Sequence, residues 1–213
     1  MRPIVKAFTP AALNATGIAT GLTGAGPFTT FTANGAGDGL GHQLSLTSTA
    51  NLSTINFTIT GVDADGNPRT ETLAGPNINT VNTVHDFLSI TSIAASSTLG
   101  ANTMDVGWTA VSVSPMVILD WRSWVGARVL VQITGTINYT VQETAHPVWL
   151  TSPPWGTYQE ALTWAPDTNM TAQTANVTAQ LPQIMSACRL VVNSVTAGAT
   201  YELSVIQPTP LNA

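Results

Sequence analysis

The side chains best spaced for chemistry lie in one acidic turn, Asp63-Ala64-Asp65-Gly66-Asn67. Alternate oxygen-bearing residues followed by glycine are typical of the calcium loop of EF-hand proteins. With Gly66 at the sixth position of such a loop, Gly61 takes the first position and Thr72 the twelfth. Neither residue supplies the carboxylate that these positions require. The sequence therefore favours an acidic, solvated turn, and we expect no metal ion here.

The histidines and the cysteine give no catalytic pattern. His42, His85 and His146 each stand alone, without a second histidine or a carboxylate at metal-ligand spacing. Cys188 is the only cysteine and lies in an apolar, strand-like run. This setting favours a buried structural thiol, because free cysteine packs as a small hydrophobic residue. We therefore expect no catalytic residue of these types, no bound metal and no internal disulfide.

The glycine-rich stretch 35–41, GAGDGLG, superficially resembles a nucleotide-binding loop. Such loops need a preceding strand and a following helix, because the helix N-terminus helps to hold the phosphate. Neither element is predicted around this stretch, and the chain has no P-loop and no G-x-S-x-G motif. We interpret the stretch as a flexible linker and expect no cofactor.

Carboxylates and aromatic residues of the second half allow one carbohydrate-related alternative. A glycosidase needs two carboxylates across a cleft, and the candidates are Asp120, Glu143, Glu160 and Asp167. Five of the six tryptophans also lie beyond residue 114 and could form a glycan-binding surface: Trp121, Trp124, Trp149, Trp155 and Trp164. Core packing or a subunit interface is favoured for these rings, since tryptophan suits both settings. We expect the protein not to be an enzyme.

The composition favours a folded protein that associates with others. Only 8% of the 213 residues are charged and 44% are hydrophobic, whereas roughly 25% are charged in ordinary soluble domains. The 34 threonines are twice the 17 charged residues, and threonine, being β-branched, suits the pleated surface of a sheet. A surface with so few charges lacks the usual protection against association. Coverage by other subunits would explain it.

Alternation of apolar and polar residues predicts β-strands. Ile55, Phe57 and Ile59 fall on one face of a strand, and after the acidic turn Arg69–Leu73 can pair back to form an antiparallel hairpin. The strands predicted in the first half are Gln43–Ser48, Thr54–Val62, Arg69–Leu73, Asp86–Ala94 and Thr103–Trp108. Short strands at this spacing predict an all-β fold, a β-sandwich or jelly roll.

The second half predicts two further hairpins and a domain boundary. Alternating residues flank Gly135-Thr136 and, later, Val195–Ala199, each a hairpin candidate. A plausible boundary lies at Val111–Pro115. We therefore predict three regions: an extended Gly/Thr-rich arm (1–41) packed on its own sheet or on a neighbour, a first β domain (42–113), and a second β domain (114–213) with an irregular Trp/Pro-rich loop (145–183).

The chain shows no sign of binding nucleic acid or membrane. Its net charge is −5 and its six basic residues are scattered singly, which argues against a groove that neutralises phosphates. No signal-peptide pattern opens the sequence, and no run of 18 apolar residues occurs. We expect neither nucleic acid nor membrane as a partner.

Several segments together resemble virion proteins encoded among the head and tail genes of tailed bacteriophages. These segments span most of residues 50–207: Ile59–Asp63, Arg69–Pro76, Phe87–Ile93, Val106–Trp108, Thr136–Thr144, Ala187–Ser194, Ala197–Ala199 and Val205–Gln207. Related proteins are mostly known as structural proteins of unassigned role, and no catalytic residues come with the resemblance. It implies a capsid decoration (cement) protein or a head–tail connector component.

The resemblance also implies partners and a location. The protein would bind major capsid or head–tail proteins and copies of itself, in a virion assembled in the bacterial host cytoplasm. The alternative is a host-recognition fibre or receptor-binding module that holds glycan through the aromatic residues of 145–165. A tail enzyme that degrades polysaccharide is the least favoured hypothesis, because it needs a paired-carboxylate cleft.

Overall fold

The computed structural model describes residues 3–119, 126–146, 148, 162–181 and 185–207. These residues form fifteen β-strands and no α-helix. All the strand pairs given below are antiparallel, as expected where alternating strands have one buried face. The predicted all-β, sandwich-like fold class is thereby confirmed.

The strands fall into two compact units of the chain. The continuous unit comprises Ala11–Val113, and the split unit comprises residues 1–10 together with 114–213. The chain therefore passes between units twice, after Pro10 and after Val113. The second of these positions lies within the stretch where the sequence predicts a domain boundary.

The continuous unit contains seven strands in two antiparallel groups. The strands are β2 (Asn14–Leu22), β3 (Gly41–Thr47), β4 (Asn56–Val62), β5 (Pro68–Ala74), β6 (Thr80–Phe87), β7 (Ser89–Ala95) and β8 (Met104–Val113). In one group β8 pairs with both β2 and β3, and β3 pairs with β6; in the other, β4 lies between β5 and β7.

The predicted hairpin at the acidic turn is present. Strands β4 and β5 pair from Asn56↔Ala74 to Val62↔Pro68 without a register shift. Phe57 and Ile59 are fully buried in the core of the continuous unit and Ile55 is nearly so. The period-2 pattern thus identifies the buried face correctly, because successive side chains of a strand point to opposite sides.

One predicted strand is in fact two. The sequence predicts a single strand Asp86–Ala94, whereas β6 ends at Phe87 and β7 begins at Ser89 in the other group. The Leu88 amide donates to the Val62 carbonyl oxygen at 2.8 Å, which fixes the turn. Phe87 and Ile90 are both buried. The apolar pattern of the sequence therefore continues across the turn and gives no sign of it.

The described residues of the split unit form eight strands, also in two antiparallel groups. The strands are β1 (Ile4–Phe8), β9 (Val117–Ile118), β10 (Arg128–Thr134), β11 (Ile137–Thr144), β12 (Ala165–Pro166), β13 (Val177–Gln180), β14 (Ala187–Val195) and β15 (Thr200–Ile206). In one group β15 lies between β1 and β10, and β10 also pairs with β13; in the other, β11 pairs with β12 and β14, and β14 with β9.

The prediction of two hairpins in the second half is wrong. Strand β10 pairs with β15 and β11 pairs with β14, so Gly135-Thr136 and Val195–Ala199 each connect strands of different groups. The two connections lie side by side, since the Thr196 amide donates to the Thr136 carbonyl oxygen at 3.1 Å. Such arches join the two layers of a sandwich, and the long-range pairs determine the arrangement.

Residues 1–41, predicted as an extended arm, contribute one strand to each unit. Strand β1 pairs with β15 from Ile4↔Val205 to Phe8↔Tyr201, and β2 pairs with β8. Between β2 and β3 the chain forms bends and an isolated bridge, Phe28↔Ile93, but no regular strand. Strands β1 and β2 therefore pack on strands of this chain, which is one of the two placements expected for the arm.

The predicted loop 145–183 is only partly described. Its described parts include the short strands β12 and β13. Between them, Tyr139 exchanges backbone hydrogen bonds with Gln173, and the Val141 amide donates to the Met170 carbonyl oxygen. This segment therefore covers the edge of β11, which limits its pairing with other chains.

Candidate functional site

The acidic turn is held from within by Asp63. Its Oδ1 accepts the backbone amides of Asp65 and Asn67, both at 2.9 Å, and the Gly66 amide donates to the Asp63 carbonyl oxygen at 3.0 Å. Asp63 is only 3% exposed, so the expectation of a solvated turn is wrong for this residue. The carboxylate completes an Asx-type turn, and this use explains an aspartate at the start of the loop.

A buried arginine pairs with the first aspartate of the turn and with an aspartate of β6. Arg69 Nη2 lies 3.2 Å from Asp63 Oδ2, and Arg69 Nη1 lies 3.9 Å from Asp86 Oδ1. Asp86 Oδ2 also accepts the Ala64 amide at 3.2 Å. The β4–β5 hairpin is thereby joined to β6 by one charge-assisted hydrogen bond and one ion pair. Removal of one partner would leave a buried charge, which costs far more than loss of an exposed pair.

Two of the three histidines have carboxylate partners that the sequence analysis missed. His42 Nε2 lies 2.8 Å from Asp38 Oδ2, and His42 Nδ1 lies 3.0 Å from the Thr109 carbonyl oxygen. His85 Nδ1 lies 3.0 Å from Glu71 Oε2. The spacing Asp38…His42 was a visible signal, whereas Glu71 meets His85 only through tertiary packing. The expectation that the histidines stand alone is therefore wrong for these two; His146 is exposed.

Asp38 lies in the glycine-rich stretch 35–41. Burial alone would raise the pKa of Asp38, but the hydrogen bond and charge of His42 and the amides of Ala11 and Leu40 lower it below the usual value. The stretch leads into β3 rather than into a helix. A Cβ at Gly35 would lie 2.3 Å from the Leu88 carbonyl oxygen, so this segment packs closely and is not a free linker.

Two of the four candidate carboxylates interact with each other. Glu143 and Asp167 are both buried in the split unit. Burial raises the pKa of Glu143, and the neighbouring Asp167 charge raises it further. Within the described residues Glu143 Oε2 has no hydrogen-bond partner. Asp120 and Glu160 lie outside the described residues.

Cys188 is a buried thiol, as predicted from its apolar surroundings. It is opposite Glu143 in the register of β11 and β14. Burial, followed by the negative charge of Glu143, raises the pKa of Cys188 to about 12. The thiolate needed for nucleophilic attack is therefore strongly disfavoured.

Of the five tryptophans predicted for a glycan or interface surface, only Trp164 is described. It is half-buried, and the guanidinium of Arg189 lies 4.3 Å from its ring centroid. Arg189 Nε donates to Gln142 Oε1 at 2.9 Å. Trp121, Trp124, Trp149 and Trp155 lie outside the described residues.

The described residues offer no assembled metal centre: no three His, Cys, Asp or Glu side chains among them are grouped to hold an ion. The chain matches no protein-family model and no curated protein. No helix within the described ranges is long and apolar enough to cross a bilayer. What the structure offers instead is a set of buried polar networks and an exposed apolar edge at β1.

Proposed function

We propose that this protein is a non-enzymatic structural component of a tailed-bacteriophage particle, a capsid decoration protein or a head–tail connector component. It acts by binding virion proteins and copies of itself. The observation that carries the proposal is the outer edge of β1. The resemblance of the sequence to phage virion proteins indicates the kind of assembly.

Strand β1 has only one neighbour, β15, among the described strands. Ile4 is 41% exposed and Val5 is 51% exposed, so apolar side chains emerge on both faces of the strand. Ile206, at the end of β15, is 39% exposed. A strand with a free edge and apolar side chains can add another strand by backbone hydrogen bonding.

The only charge of β1 does not protect this edge. Lysine on an edge strand usually discourages pairing with other chains. The ammonium group of Lys6, however, donates to the carbonyl oxygens of Met116 at 3.2 Å and Pro115 at 3.5 Å. It is thereby held within the split unit. An edge strand without an exposed charge is typical of a surface that another subunit covers.

Weak contacts of this kind become effective by repetition. A shell or ring presents many identical sites, and simultaneous attachment raises the apparent affinity without any new contact. The low charge of the chain fits this use, since like-charge repulsion between neighbouring copies is small. No catalytic group is needed for such a role.

A charge placed on the β1 edge tests the proposal. Val5→Lys should weaken self-association, measured by sedimentation equilibrium and light scattering over a range of concentrations. Val84→Lys is the matched control, because Val84 is 78% exposed on β6, where the Val84 and His85 amides are already bonded to the Glu71 carboxylate. Imaging of intact phage particles should locate the protein at symmetric positions on the head or neck. A wild-type protein that stays monomeric and is absent from particles would contradict the proposal.

A host-recognition module that holds glycan is the second candidate. Trp164 favours it, because its indole ring is half-buried with the guanidinium of Arg189 over one face, and tryptophan combines a large apolar surface with a polar N–H. Binding of soluble oligosaccharides, followed by the fluorescence of wild type and Trp164→Ala, would distinguish the two functions. Saturable binding that Trp164→Ala abolishes would favour the second candidate over the first.

A further inference from the structure

The imidazole of His42 is buried between two hydrogen-bond acceptors. Its side chain is 1% exposed and that of Asp38 is 8% exposed. The Nδ1 atom faces the Thr109 carbonyl oxygen at 3.0 Å, and the Nε2 atom faces Asp38 Oδ2 at 2.8 Å. Water has little access to either bond, so the protein itself must satisfy both nitrogens.

This arrangement requires one proton more than a neutral imidazole carries. A carbonyl oxygen can only accept, so the proton on Nδ1 belongs to the bond with Thr109. The Nε2 atom then faces a carboxylate oxygen, and both atoms would present lone pairs at 2.8 Å unless a second proton lies between them. His42 and Asp38 together therefore hold an additional proton as an imidazolium–carboxylate pair.

The same carboxylate anchors the start of the continuous unit. Asp38 Oδ2 accepts the Ala11 amide at 2.7 Å, and Oδ1 accepts the Leu40 amide at 3.1 Å. The next residue, Ala12, accepts a hydrogen bond from Trp108 Nε1 at 3.0 Å through its carbonyl oxygen. Ala11 is the first residue after the chain leaves the split unit. Asp38 thus links three parts of the continuous unit: the backbone at Ala11, the glycine-rich stretch 35–41 and β3.

We propose that Asp38 and His42 form a proton-dependent latch that fastens the segment at Ala11 onto β3. While the shared proton is present, the latch is closed and Asp38 holds both backbone amides. When the pH rises and the proton leaves, two lone pairs oppose each other and a buried carboxylate loses its counter-charge. The repulsion displaces Asp38 Oδ2, the oxygen that also accepts the Ala11 amide, and so releases Ala11. At strongly acidic pH, protonation of Asp38 opens the latch in a different way, by weakening its acceptors.

Other titratable groups on the elements around β3 already have partners. On β6, Asp86 pairs with Arg69 and His85 pairs with Glu71. On β8, Asp105 accepts the Gly21 amide at 2.8 Å. In the turn beside Gly41, Asp63 pairs with Arg69. Asp86 lies beside Gly41, the residue before His42, because a Cβ on Gly41 would contact Asp86 Oδ2. Arg69 is shared between Asp86 and Asp63, so it balances one of these two negative charges.

Nuclear magnetic resonance of the full, isotope-labelled chain tests the latch. In wild-type protein we expect both ring nitrogens of His42 to carry protons at pH 6. As the pH rises, the Ala11 and Leu40 amide signals should shift with the same midpoint as the ring. Across that midpoint the protection of the Ala11 amide against hydrogen exchange, corrected for intrinsic rate, should fall about tenfold or more, as for loss of a hydrogen bond to a charged group.

Two variants and one internal reference separate the latch from general effects of pH. His42→Gln cannot titrate, so the corrected protection of the Ala11 amide should no longer change over this pH range. If His42→Gln does not fold, Asp38→Asn replaces it, because that variant removes the carboxylate of the pair and should likewise abolish the change. The half-exposed His85 reports on an unrelated imidazole in the same sample, and His85→Gln should leave the response of Ala11 unchanged. A His42 ring that carries a single proton at pH 6, or an Ala11 signal that does not follow the ring, would overturn the proposal.

Discussion

Three buried carboxylates of this protein are satisfied to different extents. Asp63 has two backbone amides and Arg69 as partners, and Asp38 has two amides and His42. Glu143 differs, because its Oε2 has no partner within the described residues and it lies near the negative charge of Asp167. Burial of an unpaired carboxylate is costly. Of these three, Glu143 is therefore the carboxylate whose charge the folded state favours least.

Glu143→Gln should stabilise the protein at neutral pH. The raised pKa of Glu143 means that the folded state binds its proton more tightly than the unfolded chain does. The protonated Glu143 side chain therefore contributes its full stabilisation at pH values below its usual pKa of 4.5. This contribution is lost as the pH rises through the raised pKa of the folded state. Glutamine stays neutral, so the variant should unfold at a higher temperature than wild type at pH 7 and at the same temperature at pH 4.

Thermal unfolding between pH 4 and pH 8 measures this effect. Glu202→Gln is the control, since Glu202 lies in the same unit but accepts a hydrogen bond from Ser204 Oγ at 3.0 Å. The control should lack the gain at pH 7. A Glu143→Gln protein less stable than wild type at pH 7 would show that the charged carboxylate has a stabilising partner.

At the scale of elements, local pattern alone decides some turns and not others. The β4–β5 hairpin was predictable because alternation on both sides and a turn rich in Asp, Gly and Asn describe the whole motif. The arches at Gly135-Thr136 and Val195–Ala199 have the same local appearance. The two strands that flank each arch do not pair with each other, because β10 pairs with β15 and β11 pairs with β14. Such long-range pairing leaves no signal in the local sequence.

The candidate polar sites show the same limit. The spacing of Asp38 and His42 in the sequence could have revealed their contact, because only three residues separate them. The pairs Glu71–His85 and Glu143–Asp167 join residues of different strands or loops. They follow from strand order and register, which a single sequence does not determine.

Matched glycine substitutions test the close approach of the two arches. Gly135 has φ of 83°, and a Cβ there would lie 2.8 Å from the Cβ of Ala199. Gly198 has φ of 79° with nothing near its added Cβ. Gly198→Ala should cost about 1 kcal/mol through left-handed strain alone. Gly135→Ala should cost about 1–3 kcal/mol more through overpacking. Denaturant unfolding measures both, and equal costs would contradict the contact.

At the scale of the whole molecule, the split unit depends on two strands that lie far apart in the sequence, β1 and β15. Strand β1 supplies the outer neighbour of β15, and Phe8 packs its ring against Tyr201 at a centroid distance of 5.4 Å. The core of the continuous unit, by contrast, is built from residues 18–106 alone. Loss of the N-terminus should therefore affect the two units differently.

Deletion of residues 1–9 should loosen β15 and spare the β4–β5 hairpin. Without β1, the amides of β15 that bonded to it face solvent and should exchange at least about tenfold faster. Peptides from 56–74 should keep their protection, measured by hydrogen exchange and mass spectrometry. A deletion of residues 1–3, which leaves β1 intact, is the control. Equal loss of protection in both units would show that they unfold together.

The pairing of β1 with β15 also sets an order of events during protein synthesis. Of the fifteen described strands, β1 is synthesised first and its partner β15 last. The buried cluster of the continuous unit, from Ile18 to Val106, is synthesised long before β15. Contacts of large sequence separation form late because the loop that they close is long. Strand β1 therefore stays without its β15 partner until all the other described strands have been synthesised.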